Sequence, residues 1–269
     1  AKGWHYTDLE DGAQRKRTIA PWLNYLDDQG QFNATEQRVR SAVQGETFRG
    51  YQLEWVIDRQ PLDFFIGDAT EAGGRPWFGA RKSTNEDIGI VSFLPYGSAS
   101  SGYVIDSEAR TLTWIDALQD TDITLRVASE RMDRWVTLKN STAGEGGTGD
   151  RVTLGFWLPD GWTLEVLNSG TDGNTIAIKN PSGVVKYQTR QARARDANGD
   201  RLPCTFIAQG TDTLGGNTYY KVRKRVDPTG AVYPIEMDDS LTIDYTDTPA
   251  IEDTYCRSVN WADNRNYGS

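Results

Sequence analysis

The chain has 269 residues, a formal net charge of −9 and an aromatic content of 11%. This length is enough to bury a core, and the aromatic content argues against disorder. A nucleic-acid surface needs concentrated Lys and Arg, and a membrane span needs roughly 18 consecutive apolar residues. The sequence therefore predicts neither nucleic-acid binding nor membrane insertion.

The first residues, AKGWHYTDLEDG, contain no remnant of an apolar leader. Two histories fit a start at Ala1: removal of an initiator Met before a small residue, or cleavage of a signal peptide. We favour the first and expect a protein made in the cytoplasm without a secretion signal.

Residues 1–121 have a less regular pattern, and residues 1–110 within it predict a mixed N-terminal β domain that docks onto a partner. Apolar runs at residues 53–57 and 64–66 predict strands, and the segments DIGIVSFLPYG and RTLTWIDAL predict two more. Residues 33–45 predict a helix, capped by Asn33 or Thr35 and with Val39 and Val43 on one face. The Gly-rich residues 68–87 predict a long loop.

Aromatic and Arg side chains of this region are candidate contacts with a glycan or a partner subunit. Arg75, Trp77, Phe78 and Arg81 lie close together in the predicted loop. They suit sugar binding, and they equally suit a subunit interface, whose core is rich in Trp and Arg. We favour the subunit contact. Further anchor candidates, for which core packing is the alternative, are Trp4, Tyr6, Trp22 and Tyr25.

From about residue 122 onward, apolar residues alternate with the two-residue period of β-strands. Ile123, Leu125 and Val127 share one strand face, whereas Trp135 lies opposite the apolar face of its segment. Turn sequences at residues 159–161, 181–183 and 198–199 separate further strands. Such spacing predicts an antiparallel β-sandwich, jelly-roll or Ig-like, over residues 111–245. The Gly-rich residues 140–150 predict a mobile connection at its edge.

The residues offer little for catalysis. His5 is the only histidine, and the chain has no nucleophile elbow or Walker loop. We therefore predict no catalytic residue and no cofactor. The 38 acidic residues leave a glycosidase carboxylate pair open, with Trp157 and Trp162 as aromatic candidates for a sugar site.

A weak calcium site is conceivable where Asp196, Asn198 and Asp200 alternate around Gly199. An EF-hand loop would need a glutamate at its twelfth position, which Ile207 occupies here. The same residues suit a hairpin turn, since Asn-Gly supplies positive φ and Asp accepts from its own backbone. We favour the turn.

The two cysteines, Cys204 and Cys256, allow a disulfide that would close a loop of about 50 residues. The alternative is two buried thiols, which we favour because a cytoplasmic origin disfavours a disulfide. Elsewhere, Lys221, Arg223 and Arg225 share one strand face, for which we prefer a solvated surface over a phosphate or acidic-partner contact.

Four segments follow one another within residues 111–240: TDITLRVASERMDRWVTLKN, VTLGFWLPDGWTLEV, SGVVKYQTRQARARDANGDRLP and AVYPIEMDD. Their order and turn residues resemble a β-rich segment of YD-repeat (Rhs-like) surface proteins and phage structural proteins. In that family the second segment forms a hairpin. The tail EDTYCRSVNWADNRNYGS is similar to the opening of the DNRLRE-type domain that often follows. Residues 246–269 are therefore expected to be a linker and the start of such a module.

The resemblance implies a structural or adhesive role without catalysis. It predicts a phage virion component, such as a capsid-associated fibre, spike or decoration protein. Residues 1–110 would dock onto other virion subunits or a second copy, and the C-terminal end would carry an adhesive module. The alternative is a glycan-binding adhesin of a bacterial surface or a secreted protein, and the third is a fragment of a carbohydrate-active enzyme.

Overall fold

The computed structural model describes residues 4–8, 14–18, 24–26, 32–34, 40–57, 62–67, 77–82, 90–93, 103–106, 111–128, 131–214, 216–238 and 241–243. Within these ranges the regular structure is β-strand, apart from one 3₁₀ turn at Glu145–Gly147. All strand pairs are antiparallel, which confirms the predicted mainly-β fold class. None of the described elements is a helix suited to spanning a membrane.

The strands before residue 110 are β1 (Trp4–Asp8), β2 (Gln14–Thr18), β3 (Asn24–Leu26), β4 (Phe32–Ala34), β5 (Arg40–Ser41), β6 (Thr47–Phe48), β7 (Tyr51–Ile57), β8 (Leu62–Gly67), β9 (Trp77–Lys82), β10 (Ile90–Phe93) and β11 (Tyr103–Asp106). Strands β1 and β2 form one small hairpin, and β3 and β4 form another.

The strands after residue 110 are β12 (Thr111–Leu118), β13 (Thr121–Ala128), β14 (Arg131–Leu138), β15 (Arg151–Trp157), β16 (Thr163–Leu167), β17 (Thr175–Lys179), β18 (Val185–Thr189), β19 (Arg193–Arg195), β20 (Arg201–Leu202), β21 (Cys204–Leu214), β22 (Asn217–Val226), β23 (Ile235–Asp238) and β24 (Leu241–Ile243). They confirm the strands that alternation predicted in this half.

Two large sheets pack on a common core. The first has nine strands in the order β21-β22-β15-β10-β9-β8-β7-β5, with β6 on β7. The second has eleven strands in the order β11-β12-β13-β14-β24-β18-β17-β16, and a branch in which β23 pairs with β14, β19 with β23 and β20 with β19. Buried apolar residues of both sheets form a single cluster, as expected for a β-sandwich.

The predicted boundary at residue 110 does not separate the two sheets. Strand β10 pairs with β15, where Val91 lies opposite Trp157. Side chains of β7–β9 such as Phe64 and Phe78 belong to the same buried cluster as Phe156 and Val222. The nine-stranded sheet and the buried cluster therefore both contain strands from before and after residue 110.

The prediction of a helix over residues 33–45 is wrong in the part of this segment that the structure describes. Residues 32–34 and 40–41 are strands, and the Ala42 N–H donates to the Glu54 carbonyl at 2.9 Å. The Arg40 guanidinium pairs with Glu46 at 2.8 Å. Val43, which was expected to share a helix face with Val39, is 66% exposed. Pairing with β7 outweighs a weak local helix preference here.

The turn at residues 159–161 is not the hairpin that the family resemblance implies. The Trp162 N–H donates to the Pro159 carbonyl at 3.1 Å, so the turn itself is formed. However, β15 pairs with β10 and β22, whereas β16 pairs with β17 in the other sheet. The chain therefore crosses between sheets at this point.

Hydrogen bonds fix the Gly-rich connection after β14 to the neighbouring strands and loops. The Gly144 N–H donates to the Thr121 hydroxyl at 2.8 Å, and the Tyr233 hydroxyl donates to the Gly149 carbonyl at 3.0 Å. A Cβ at Gly149 would lie 2.5 Å from the Ser141 carbonyl oxygen, and its φ is +68°. Only glycine fits there, and the prediction of a mobile loop finds no support in these contacts.

The outer edge of β21 is covered by side chains from the loop between β16 and β17. The Asn174 side chain accepts from the Phe206 N–H at 2.6 Å and donates to the Phe206 carbonyl at 2.8 Å. Beside it, Asp172 accepts from the Cys204 N–H at 2.9 Å. Asn174 thus reproduces the hydrogen bonds of a neighbouring strand and blocks this edge from pairing with another chain.

Candidate functional site

The structure corrects the role predicted for residues 75–81. Trp77 and Phe78 lie in strand β9, not in a loop, and they are 1% and 3% exposed. Neither offers a surface to a glycan or a subunit. Arg81 reaches solvent but pairs with Asp63 at 3.1 Å and lies over the Phe65 ring. Arg75 is outside the described residues.

The other predicted anchors stay predictions. Trp4 and Tyr6 belong to β1 and Tyr25 to β3, but the description of these strands covers their backbones and not their side chains. Trp22 is outside the described residues. The 252–269 tail, with Cys256, is also outside them, so the pairing of Cys204, which is buried, stays open.

Trp77 instead belongs to a second apolar cluster on the outer face of the nine-stranded sheet, which we call the aromatic layer. Its buried members are Phe48, Leu53, Val56, Phe65, Trp77 and Tyr219, and Ala42, Tyr51 and Trp157 pack against them partly buried. An antiparallel sheet in a sandwich commonly has one solvated face. Here the N-terminal strands are apolar on both faces.

Ring contacts hold the aromatic layer together. Phe48 stacks on Phe65 with centroids 4.4 Å apart, and Tyr51 lies 5.3 Å from Trp77 and 5.4 Å from Trp157. Such pairs each add about 0.5–1.5 kcal/mol beyond the burial of their area. The layer is therefore a stabilising part of the fold and gives the sheet a third layer.

Arg49 ties the β6–β7 hairpin to the end of β15. Its guanidinium lies 4.0 Å from the Trp157 ring centroid and donates to the carbonyls of Trp157 at 3.3 Å and Leu158 at 2.9 Å. Burial lowers its pKa to about 10, so the group stays charged at neutral pH. Arg49 and Gly50 both have positive φ, as a two-residue hairpin turn requires.

We expect Arg49→Asn to lower the free energy of unfolding by about 1–2 kcal/mol, because two hydrogen bonds and a cation–π contact are lost. Asn suits positive φ better than Arg does. Urea unfolding measures the change. A gain in stability would show that the better fit of Asn to positive φ contributes more than the lost contacts of Arg49 with Trp157 and Leu158. Arg49→Lys serves as the control, since it keeps the charge and lacks the planar fork.

Carboxylates from neighbouring segments neutralise the cations on the basic face of β22. Each cation lies near a carboxylate, in the pairs Lys221–Asp212 (3.5 Å), Arg223–Glu145 (3.5 Å) and Arg225–Asp150 (3.2 Å). These pairs favour the solvated-face interpretation over an anion site. The opposite face holds a residue that the pattern did not single out: Lys224 is fully buried, with its ammonium 5.6 Å from the Phe206 ring.

Asp196 forms the hairpin turn that its sequence predicted. One carboxylate oxygen accepts from the N–H groups of Asn198 and Asp200, both at 2.9 Å, and the other accepts from Val232 at 3.0 Å. Both oxygens therefore face backbone donors. Among the described residues, no three potential metal-ligating side chains converge.

Because the carboxylate accepts these bonds, from Val232 above all, the pKa of Asp196 lies below its usual value. Its stabilising contribution is present above the unfolded pKa of about 3.9 and is lost as pH falls through the folded pKa. We expect Asp196→Asn to lower the Tm at pH 7. The Tm difference from the unsubstituted protein should shrink between pH 5 and pH 2, roughly the range over which such groups titrate. A difference that does not change with pH would contradict this role.

The chain has no match among protein-family models, curated proteins or solved structures. The predicted resemblance of residues 111–240 to YD-repeat and phage structural proteins therefore stays a prediction. Its functional assignment must therefore come from the surfaces of the chain itself.

One such surface was missed by sequence patterns. On the outer face of the eleven-stranded sheet, six residues lie side by side on consecutive strands, and we call them the Trp135 row: Val104, Thr113, Thr124, Trp135, Asp238 and Arg193. The alternation of β14 did place Trp135 opposite its apolar face. Its neighbours come from five other strands, so no local signal could assemble them.

Proposed function

We propose that this protein is a non-enzymatic structural component of a larger particle, with a phage virion as the setting. Its N-terminal part would dock onto other subunits or a second copy, and its C-terminal end would carry an adhesive module. The single histidine and the lack of a nucleophile motif support the non-enzymatic part. The segment order of residues 111–240 supports the virion or surface setting.

The observation that carries the proposal is the aromatic layer. The N-terminal strands build an extra apolar layer on the outside of a sandwich and join the C-terminal strands in one hydrogen-bonded sheet. A subunit held through its N-terminal part would transmit force through that sheet to the rest of the chain. A stable subunit interface buries about 1,200–2,000 Å² and is dominated by aromatic and Arg anchors.

The test is the mass of the purified protein by size-exclusion chromatography with light scattering. We expect a multiple of 30.0 kDa. The double variant Trp4→Ala/Trp22→Ala should shift this species toward the monomer, whereas Trp157→Ala, a Trp change in the aromatic layer, should not. A 30.0 kDa monomer at all concentrations, with no binding to virion subunits, would contradict the proposal.

The second candidate is a glycan-binding adhesin module. The Trp135 row favours it, because an aromatic ring among hydroxyl, carboxylate and guanidinium groups is the arrangement that sugar recognition needs.

A further inference from the structure

We propose that the outer face of the eleven-stranded sheet around Trp135 binds an extended, uncharged polysaccharide chain. This inference rests on the glycan-binding candidate and is independent of the virion assignment. It names a site that differs from residues 75–81, where the sequence placed the glycan candidates.

The six residues of the Trp135 row are partly or fully exposed, whereas Asp133, on the same face of β14, is buried. Along β12–β14 the buried residues, such as Leu125 and Val136, alternate with partly exposed Thr124 and Trp135. Arg193 and Val104, at the two ends of the Trp135 row, are exposed. Five strand spacings of about 4.8 Å make the row about 24 Å long. It is therefore longer than one sugar ring and suits a chain that crosses the strands.

Trp135 is held in a fixed position for stacking. The Arg126 guanidinium lies 5.0 Å from its ring centroid and is itself fixed by Asp133 at 2.8 Å. Asp133 lies on the same face of β14 as Trp135 and is 1% exposed, so the carboxylate that holds Arg126 is itself fixed by its surroundings. A ring whose orientation is set before binding loses little entropy when a ligand stacks on it.

Groups that can bind sugar hydroxyls surround the ring. On one side, the hydroxyls of Thr113 and Thr124 are 2.9 Å apart, and each retains further capacity to donate or accept. On the other side, Asp238 lies directly opposite Trp135 on the neighbouring strand, and Arg193 follows it. The row therefore carries two hydroxyls, then the aromatic ring, then an acid and an arginine.

The charges of this face favour an uncharged ligand. Acids and arginines face each other in register, in the pairs Arg126–Asp133, Arg193–Asp238 and Arg195–Glu236. The pairs cancel, whereas a nucleic acid or an acidic glycan would need a net positive surface. The core of a protein interface is depleted of charged residues, and this face is not. Paired charges with one central ring fit a neutral polyhydroxyl chain best.

The test is electrophoresis of the full chain in native gels that contain a soluble polysaccharide. The neutral probes are hydroxyethyl cellulose, dextran and galactomannan, and the acidic probe is polygalacturonate. We expect at least one neutral probe to retard the protein, and Trp135→Ala to weaken this binding at least about tenfold. The matched control, Trp157→Ala, changes a partly buried Trp on the other sheet and should bind as the unsubstituted protein does.

A second variant tests whether a loss of binding in Trp135→Ala comes from misfolding. Thr124→Lys changes a partly exposed neighbour of the ring, leaves the core untouched and should also abolish retardation. The proposal is overturned if no neutral probe retards the protein, if only polygalacturonate does, or if Trp157→Ala weakens binding as much as Trp135→Ala. The light-scattering mass is measured on the same samples, so that a failure of sugar binding is separated from a failure of assembly.

Discussion

Gly67→Ala should destabilise the protein more than any other single methyl group added to the described strands. A Cβ at this position would lie 1.6 Å from Cε2 and 1.8 Å from Nε1 of the Trp77 indole. Trp77 is 1% exposed, so the ring has no free space to move into. Overpacking a core costs typically about 1–3 kcal/mol, occasionally more, and we expect a loss at or above the top of that range in urea unfolding.

The double variant Gly67→Ala/Trp77→Leu is the control, because it removes the ring that the new methyl group would strike. Trp77→Leu alone leaves a cavity, which the added methyl group partly fills. The two changes should therefore be less damaging together than the sum of their separate effects, with a coupling of about 0.5–3 kcal/mol. Additive effects, or a Gly67→Ala protein as stable as the unsubstituted one, would show that the indole does not occupy this gap.

Asn174→Ala should be the second most damaging change, with a loss of about 2–4 kcal/mol. The substitution removes the acceptor of the Phe206 N–H, and the Phe206 carbonyl loses its 2.8 Å bond but keeps a 3.4 Å bond from the Gly170 N–H. Phe206 is fully buried, and each unsatisfied buried group costs about 1–3 kcal/mol. The edge of β21 loses cover at Phe206, although Asp172 and Gly173 still bond to Cys204, and the variant should therefore associate more readily at high concentration. Urea unfolding and light scattering measure the two effects separately.

Asn174→Asp is a sharper version of the same test. One oxygen of the new carboxylate can still accept from the Phe206 N–H, but the other faces the Phe206 carbonyl and repels it. The folded state therefore raises the pKa of the new carboxyl group, and the protonated form can donate to that carbonyl. The stability difference from the unsubstituted protein should shrink as pH falls toward 4, near the ordinary pKa of Asp. A difference that grows at low pH would contradict this hydrogen-bond geometry.

Local patterns predicted most strands of the C-terminal half because burial on one sheet face imposes a period of two. Ile123 and Leu125 show this, as do Val136 and Leu138: all four are buried, and Thr124 and Thr137 between them are partly exposed. The Asn-Gly turn after Asp196 was also readable, since its backbone needs are local. These features depend on residues within a few positions of each other.

Features that depend on residues far apart in the chain could not be predicted from the sequence. The turn at residues 159–161 has the same chemistry whether it closes a hairpin or a crossing between sheets, and only the pairing of β15 with β10 decides. Trp77 appeared exposed because glycines flank it, yet its ring fills the gap above Gly67 on the neighbouring strand. The Trp135 row likewise joins residues from six strands.

The repeated crossing of the chain between sheets has a consequence during synthesis. Strand β10 can pair with β15 only after residues 151–157 have been synthesised. Strand β15 in turn can pair with β22 only after residues 217–226 have been synthesised. At about 5–20 residues per second, the first wait lasts roughly 3–13 s after residue 93. During that time the growing chain presents an apolar sheet with an unpaired edge, the kind of intermediate that aggregates or recruits chaperones. Long-range pairing of this kind also predicts slow refolding from denaturant, because loop closure precedes the contacts that compensate for it.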